Sequence, residues 1–265
     1  MIRPRLIPLA LSVAAMIAVA CAEGSTSVSA VPFGFVTLAA QRAGAGYVTS
    51  PVGTFYNASG LGVPTATASW DSCRQETYSR ASVGLGDIFP SLGAGPSIEV
   101  RLPGRTDSLF PVAVGNDVQY RLHGGGVPYV PGDSVSVVVP GRDGGYPALT
   151  FRAKTAEMLT IADFGTPTVG PRLDLQWNAG HDFNGTVAFA FRYGALNADT
   201  LNVQISCQFK DDGADSIPAR YMASWAAAKT KSWSAARVRT YVAPVARGGY
   251  FDFISTFDVP TPSAP

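Results

Sequence analysis

Hydrophobic and polar residues alternate with period two through most of the chain. Ile98, Val100 and Leu102 alternate with Glu99 and Arg101, and Val118, Tyr120 and Leu122 with Gln119 and Arg121. The pattern returns at Val135, Val137 and Val139, at Leu149 and Phe151, at Leu173, Leu175 and Trp177, at Val187 to Tyr193, and at Leu201 to Cys207. Successive side chains of a strand point to opposite faces, so these segments predict strands with one face on a core and one in water. Turn residues separate them at short spacing: His123-Gly124-Gly125-Gly126, Pro131-Gly132-Asp133, Pro140 to Gly145, and Ala179 to Asp182. Strands interrupted this often predict an all-β, antiparallel sandwich, either one large or two packed. A last hairpin is predicted from Val238–Val245 and Tyr250–Val259, turning at Arg247-Gly248-Gly249, with Phe251, Phe253 and Phe257 on one face. One short helix is predicted over 217–229: Pro218 suits a first turn, Asp215 or Ser216 a cap, and Met222, Trp225 and Ala226 form an apolar stripe.

The first twenty residues follow a different rule. Arg3 and Arg5 precede an apolar run from Leu6 to Ala20 that contains Pro8, and small residues Ala18 and Ala20 stand before Cys21. That is the layout of an export signal, and the run is short of the roughly 20 residues that span a bilayer. Cleavage after Ala20 gives a secreted chain; a retained spanning segment is the other alternative. Ala18-Val19-Ala20-Cys21 resembles the lipobox of bacterial lipoproteins. The resemblance implies that Cys21 carries a lipid, that residues 1–20 are a signal peptide, and that the protein is sorted to the outer membrane, since Ala22 is not Asp. Residues 21–31 read as a polar tether. The partners so implied are the membrane, through the lipid anchor, and envelope proteins or glycans.

Composition narrows the function classes. Losing residues 1–20 leaves 18 basic residues against 19 acidic ones, a balance that speaks against nucleic acid, which is bound through many Lys and Arg contacts to phosphate. The 28 Gly and 20 Pro, 48 of 265 residues, supply turns, while 46% hydrophobic residues suffice for a core. With Cys21 used as an anchor, Cys73 and Cys207 remain in an oxidising compartment. A bridge between them closes a long loop and contributes roughly 4 to 5 kcal/mol through chain entropy. Cys207 keeps core parity, but Cys73 breaks the period of Ala66, Ala68 and Trp70, so pairing needs a bend near Asp71. Two buried thiols are the alternative.

The sequence divides at 165–171, where Thr166 to Pro171 reads as an extended linker, into an N-terminal β domain (32–165) and a C-terminal domain (166–259) followed by a tail (260–265). From Arg172 onward come a strand with Trp177, a strand with Cys207, then Asp211-Asp212-Gly213 and Ile217-Pro218 before the helix. This order resembles the immunoglobulin-like or fibronectin-type-III-like sandwiches of exported lipoproteins of unknown function; the resemblance implies a fold and no activity.

Candidate chemistry is sparse. His123 and His181 lie at strand ends without zinc-ligand spacing. Gly132-Asp133-Ser134-Val135 superficially resembles the first block of GDSL-type hydrolases, but Ser134 opens a Val-rich strand and reads as turn into strand. No catalytic residues are assigned, no cofactor is expected, and the chain is read as a non-enzymatic adhesion, structural or assembly module; a hydrolase assembled from distant residues is the remote alternative. Asp211, Asp212 and Asp215 are weak calcium candidates, with a solvated turn as the plainer role. Trp225 and Trp233 are the candidate aromatic platforms for a glycan, with core packing the competing role.

Overall fold

A computed structural model describes residues 31–58, 71–79, 85–162, 172–182 and 185–259. The signal, Cys21 and most of the tether, Trp70, the 165–171 linker and the tail lie outside the described residues. The molecule is an all-β, largely antiparallel sandwich with one short helix.

The N-terminal strands are β1 (Val31–Ala43), β2 (Gly46–Thr49), β3 (Val52–Ala58), β4 (Ser72–Thr77), β5 (Ile98–Leu102), β6 (Arg105–Val114), β7 (Asp117–Arg121), β8 (Val127–Pro128), β9 (Ser134–Val139) and β10 (Leu149–Lys154). After them come β11 (Leu173–Gln176), β12 (Thr186–Tyr193), β13 (Val203–Lys210), β14 (Ala214–Ile217), α1 (Ala219–Ala227), β15 (Lys231–Val245) and β16 (Gly249–Val259). One hydrogen-bonded path runs β10-β9-β5-β6-β7-β3-β1-β16-β15-β12-β13-β4, with β2 paired to β1, β8 paired to β2, and a separate two-stranded β11–β14 sheet.

Strands from both sides of residues 165–171 therefore share one sheet, joined where β1 lies parallel to β16, with Phe33 opposite Tyr250 and Ala40 opposite Phe257, and again where β4 lies antiparallel to β13. β16 is flanked on both edges, by β1 and β15, and its residues from Gly249 to Phe257 are all buried. It thus departs from the one-face-wet pattern expected of the last hairpin. The alternation holds elsewhere: β9, β11 and β13 keep their apolar positions in the core.

The sheet folds back so that β10 covers β15 and β16. Phe151 packs on Phe251 with ring centroids 5.4 Å apart, and the Tyr129 and Ser255 hydroxyls lie 2.9 Å apart. At the other end α1 and the β11–β14 pair cover β12 and β13. Trp225 stands edge-on to Phe191 at 5.2 Å, and Trp177 packs on Phe189 and Phe209 at 5.9 and 6.1 Å.

Helix α1 is shorter than the predicted 217–229. Ile217 pairs with Leu173 and Ser216 with Asp174 in β14, so neither Asp215 nor Ser216 is free to cap the helix, and Pro218 occupies the cap position without a side-chain hydrogen bond. The bend needed beside Cys73 is present: Asp71 adopts φ 59°, and its carboxylate accepts a hydrogen bond from the Lys210 N–H at 3.1 Å. Beyond it Cys73 sits directly opposite Cys207 across β4 and β13, and the two sulfurs are bonded.

Candidate functional site

Strand β15 places Arg237, Arg239 and Tyr241 on the face it shares with Phe257, Ser255 and Phe253 of β16, so two guanidiniums point toward the core. Both are almost wholly enclosed. An enclosed guanidinium is tolerable only where carboxylates and carbonyls surround it. The loops at 155–162 and 177–182 and the end of β13 supply them.

Arg237 meets Asp211 with two nitrogens. Nη2 donates to Oδ1 at 2.9 Å, and Nε lies 2.7 Å from Oδ2 as an ion-pair contact outside hydrogen-bond angles. Its Nη1 donates to the Met158 carbonyl at 2.6 Å and Nη2 also to the Asn178 carbonyl. The indole of Trp177 donates to Asp211 Oδ1 at 3.1 Å. Gly180 permits this closeness, because a Cβ there would lie 2.1 Å from Asp211 Oδ2.

Arg239 continues the cluster outward, donating to Asp182 and approaching Glu157 at 3.1 Å. Tyr241 donates to the same Asp182 oxygen at 3.0 Å. Glu157 Oε2 accepts from the His181 backbone N–H at 3.1 Å, with the imidazole Nδ1 at 3.3 Å. Burial alone would push the Glu157 carboxyl up, but the His181 hydrogen bonds and the charge of Arg239 outweigh it and hold it below its ordinary value. Glu157 is therefore a carboxylate near neutral pH, with no proton to donate. The cluster binds two loops to the central strands, its inner half closed and its outer half ending at the exposed His181.

Sequence reasoning reached Asp211 as a calcium candidate and His181 as a loop histidine, but missed Arg237 and Arg239. The available signal was parity: they alternate with Val238 and Thr240, on the side of the strand that continues to Tyr241. Asp211, Asp212 and Asp215 do not converge as a calcium site. Asp211 is taken by Arg237 and Trp177, and Asp215 is engaged with the Ser216 N–H at 2.6 Å. The Asp215 carboxyl is pushed up by burial, and further by Asp71 and Asp212 beside it. Among the described residues no group of three or more His, Cys, Asp or Glu is placed to hold a metal ion.

Neither tryptophan stands out as a sugar platform. Trp225 is buried, donating from its indole to the Arg192 and Ser232 carbonyls at 3.2 and 3.1 Å. Trp233 is half-buried, opposite Phe191, and packs against the same core. The Asp133 carboxylate closes the turn by accepting from the Ser134 backbone N–H at 2.7 Å, and His123 stacks on Phe110 at 4.3 Å.

Compared with known protein families, with characterised proteins and with solved structures, the chain matches none.

Proposed function

We propose that this is an exported, lipid-anchored envelope protein whose sandwich serves as a rigid, non-enzymatic structural or assembly module, anchored through Cys21 on the outer membrane. The observation that carries the reading is the Cys73–Cys207 bond, which closes a loop of 134 residues at the edge of the sheet. Such a cross-link persists in an oxidising compartment, and the apolar run ending at Cys21 is the route to one. The ionic cluster adds support for a scaffold role, since each of its carboxylates is spent on a guanidinium, an indole, a phenol or a backbone N–H and fixes a loop.

The test is metabolic labelling with a radioactive fatty acid in a Gram-negative host, followed by fractionation and non-reducing electrophoresis. The wild-type chain takes up label and sediments with outer membranes, C21S takes up none, and both show the faster-migrating oxidised form. A wild-type chain that stays unlabelled, or whose cysteines remain reduced, overturns the reading.

A further inference from the structure

The β9–β10 connection and the β15–β16 turn meet. The first, residues 140–148, is closed by hydrogen bonds from the Arg142 N–H to the Tyr146 carbonyl at 3.0 Å and from the Gly145 N–H to the Arg142 carbonyl at 2.9 Å. The second is the β15–β16 turn at Arg247-Gly248. Between them lies a depression of about 470 Å³, lined among others by Pro140, Arg142, Asp143, Pro147, Ala148 and Arg247. This is within the size range of small-molecule sites.

Both arginine side chains are held against neighbouring turns. The Arg142 side chain lies across Gly93, where a Cβ would come within 2.9 Å of its Nη1. Arg247 donates from Nη2 to the Gly145 carbonyl, so it spans from one turn to the other. Its backbone is in the left-handed region at φ 65°, a conformation that glycine would occupy without strain and that β-carbon-bearing residues rarely adopt. A strained non-glycine residue in a tight turn invites the question of what its side chain does. Several other exposed arginines, Arg101, Arg105 and Arg172 among them, pair with a carboxylate two residues away, while Arg121 meets Gln119 and Arg220 lies over the Tyr221 ring. Among the described residues Arg142 and Arg247 are in no ion pair, and the one acid in the depression, Asp143, leaves it net positive.

We propose that this depression binds a sugar bearing an oxyanion, its carboxylate, sulfate or phosphate held between Arg142 and Arg247. Guanidinium presents paired N–H donors that match the oxygens of such groups, and two of them anchored from different turns need little reordering on binding. Pro140, Pro147 and Ala148 supply the smaller, apolar part of a mostly polar lining, beside which a sugar ring can lie. The proposal goes beyond the envelope reading and does not rest on it, because binding is measured on the purified protein whatever its location.

The experiment is a calorimetric and amide-NMR titration with glucuronate, glucose 6-phosphate, inorganic phosphate and glucose at constant ionic strength. Glucuronate and glucose 6-phosphate shift the resonances of 141–148 and 247–249, while glucose does not. R247G weakens binding at least tenfold while keeping or raising Tm, because glycine relieves the left-handed strain; this separates loss of the site from loss of the fold. R142Q weakens it similarly, and D143N tightens it severalfold. Equal response to glucose, or unchanged affinity in R142Q/R247G, overturns the site. Inorganic phosphate binding as tightly as glucose 6-phosphate overturns the sugar as its ligand.

Discussion

Arg237 and Asp211 are buried charges that compensate each other, and the cost of such a pair shows when one partner is removed. D211A leaves an enclosed guanidinium facing two carbonyls and is expected to lower stability by about 3–5 kcal/mol, whereas exchanging both partners for apolar residues costs much less. Chemical denaturation of R237L, D211A and the R237L/D211A double variant measures this; additive losses would mean the pair is not coupled. Asp252 is the opposite case. It lies buried on β16 between Phe35 and Val242, its Oδ1 without a hydrogen-bond partner, and burial pushes its carboxyl up from 3.8 to about 6. The folded protein thus holds a proton that the unfolded chain releases. Its contribution to stability is fully present below about pH 4, declines between pH 4 and 6, and is lost above about pH 6. The displacement of about two units corresponds to ~3 kcal/mol. D252N is therefore expected to raise Tm at pH 7.5 and to leave it nearly unchanged at pH 4; an equal gain at both values would assign the effect to packing instead of charge.

At the scale of elements, the Cys73–Cys207 bond ties β4, at the end of the sheet path, to β13. For a loop of 134 residues, closure entropy alone predicts a loss of about 5 kcal/mol on removing it, so C73A/C207A should unfold at markedly lower denaturant. An unchanged midpoint would place the stabilisation elsewhere. Helix α1 depends on one side chain in the same way. W225A opens a cavity against Phe191 and strands two carbonyls, an expected loss of about 3–5 kcal/mol. These elements also mark how far the sequence can be read. β5, β9, β11 and β13 alternate because each has one face on the core and one toward solvent, and that difference is written residue by residue. β16 is enclosed on both faces, so Asp252, Ser255 and Thr256 break its apolar run without becoming exposed, and local pattern cannot say so. The inward arginines of β15 were opaque for a related reason: polarity predicts exposure unless the partner is known, and Asp211 is 26 residues away. The helix boundary was displaced because Ser216 and Ile217 are claimed by a strand partner at Asp174 and Leu173, more than forty residues earlier in the chain.

At the scale of the whole molecule, β1 decides cooperativity. It is paired antiparallel to β3 and parallel to β16, so among the described strands the N-terminal run from β10 to β1 meets the C-terminal strands through a contact between the two ends of the described chain, and β4 joins them separately at β13. Parallel pairing over such a separation must be closed against the chain entropy of everything between, which makes it late to form and dependent on both ends being present. The aromatic layer adds to this, since Phe151 of β10 packs on Phe251 and Phe253 of β16 and the Tyr146 hydroxyl donates to the Tyr250 carbonyl at 2.9 Å. A chain cut between residues 165 and 166 therefore yields one piece that lacks β16 over its aromatic face and another in which β16 is an uncovered, apolar edge strand, and it parts β4 and Cys73 from β13 and Cys207. Expressed separately, neither piece is expected to show a cooperative thermal transition or dispersed amide resonances, while the two mixed and refolded together recover both. Cooperative unfolding of the isolated 166–259 piece at the intact protein's midpoint would show that the sheet is two units placed edge to edge, with the β1–β16 and β4–β13 ladders additions to folds already complete.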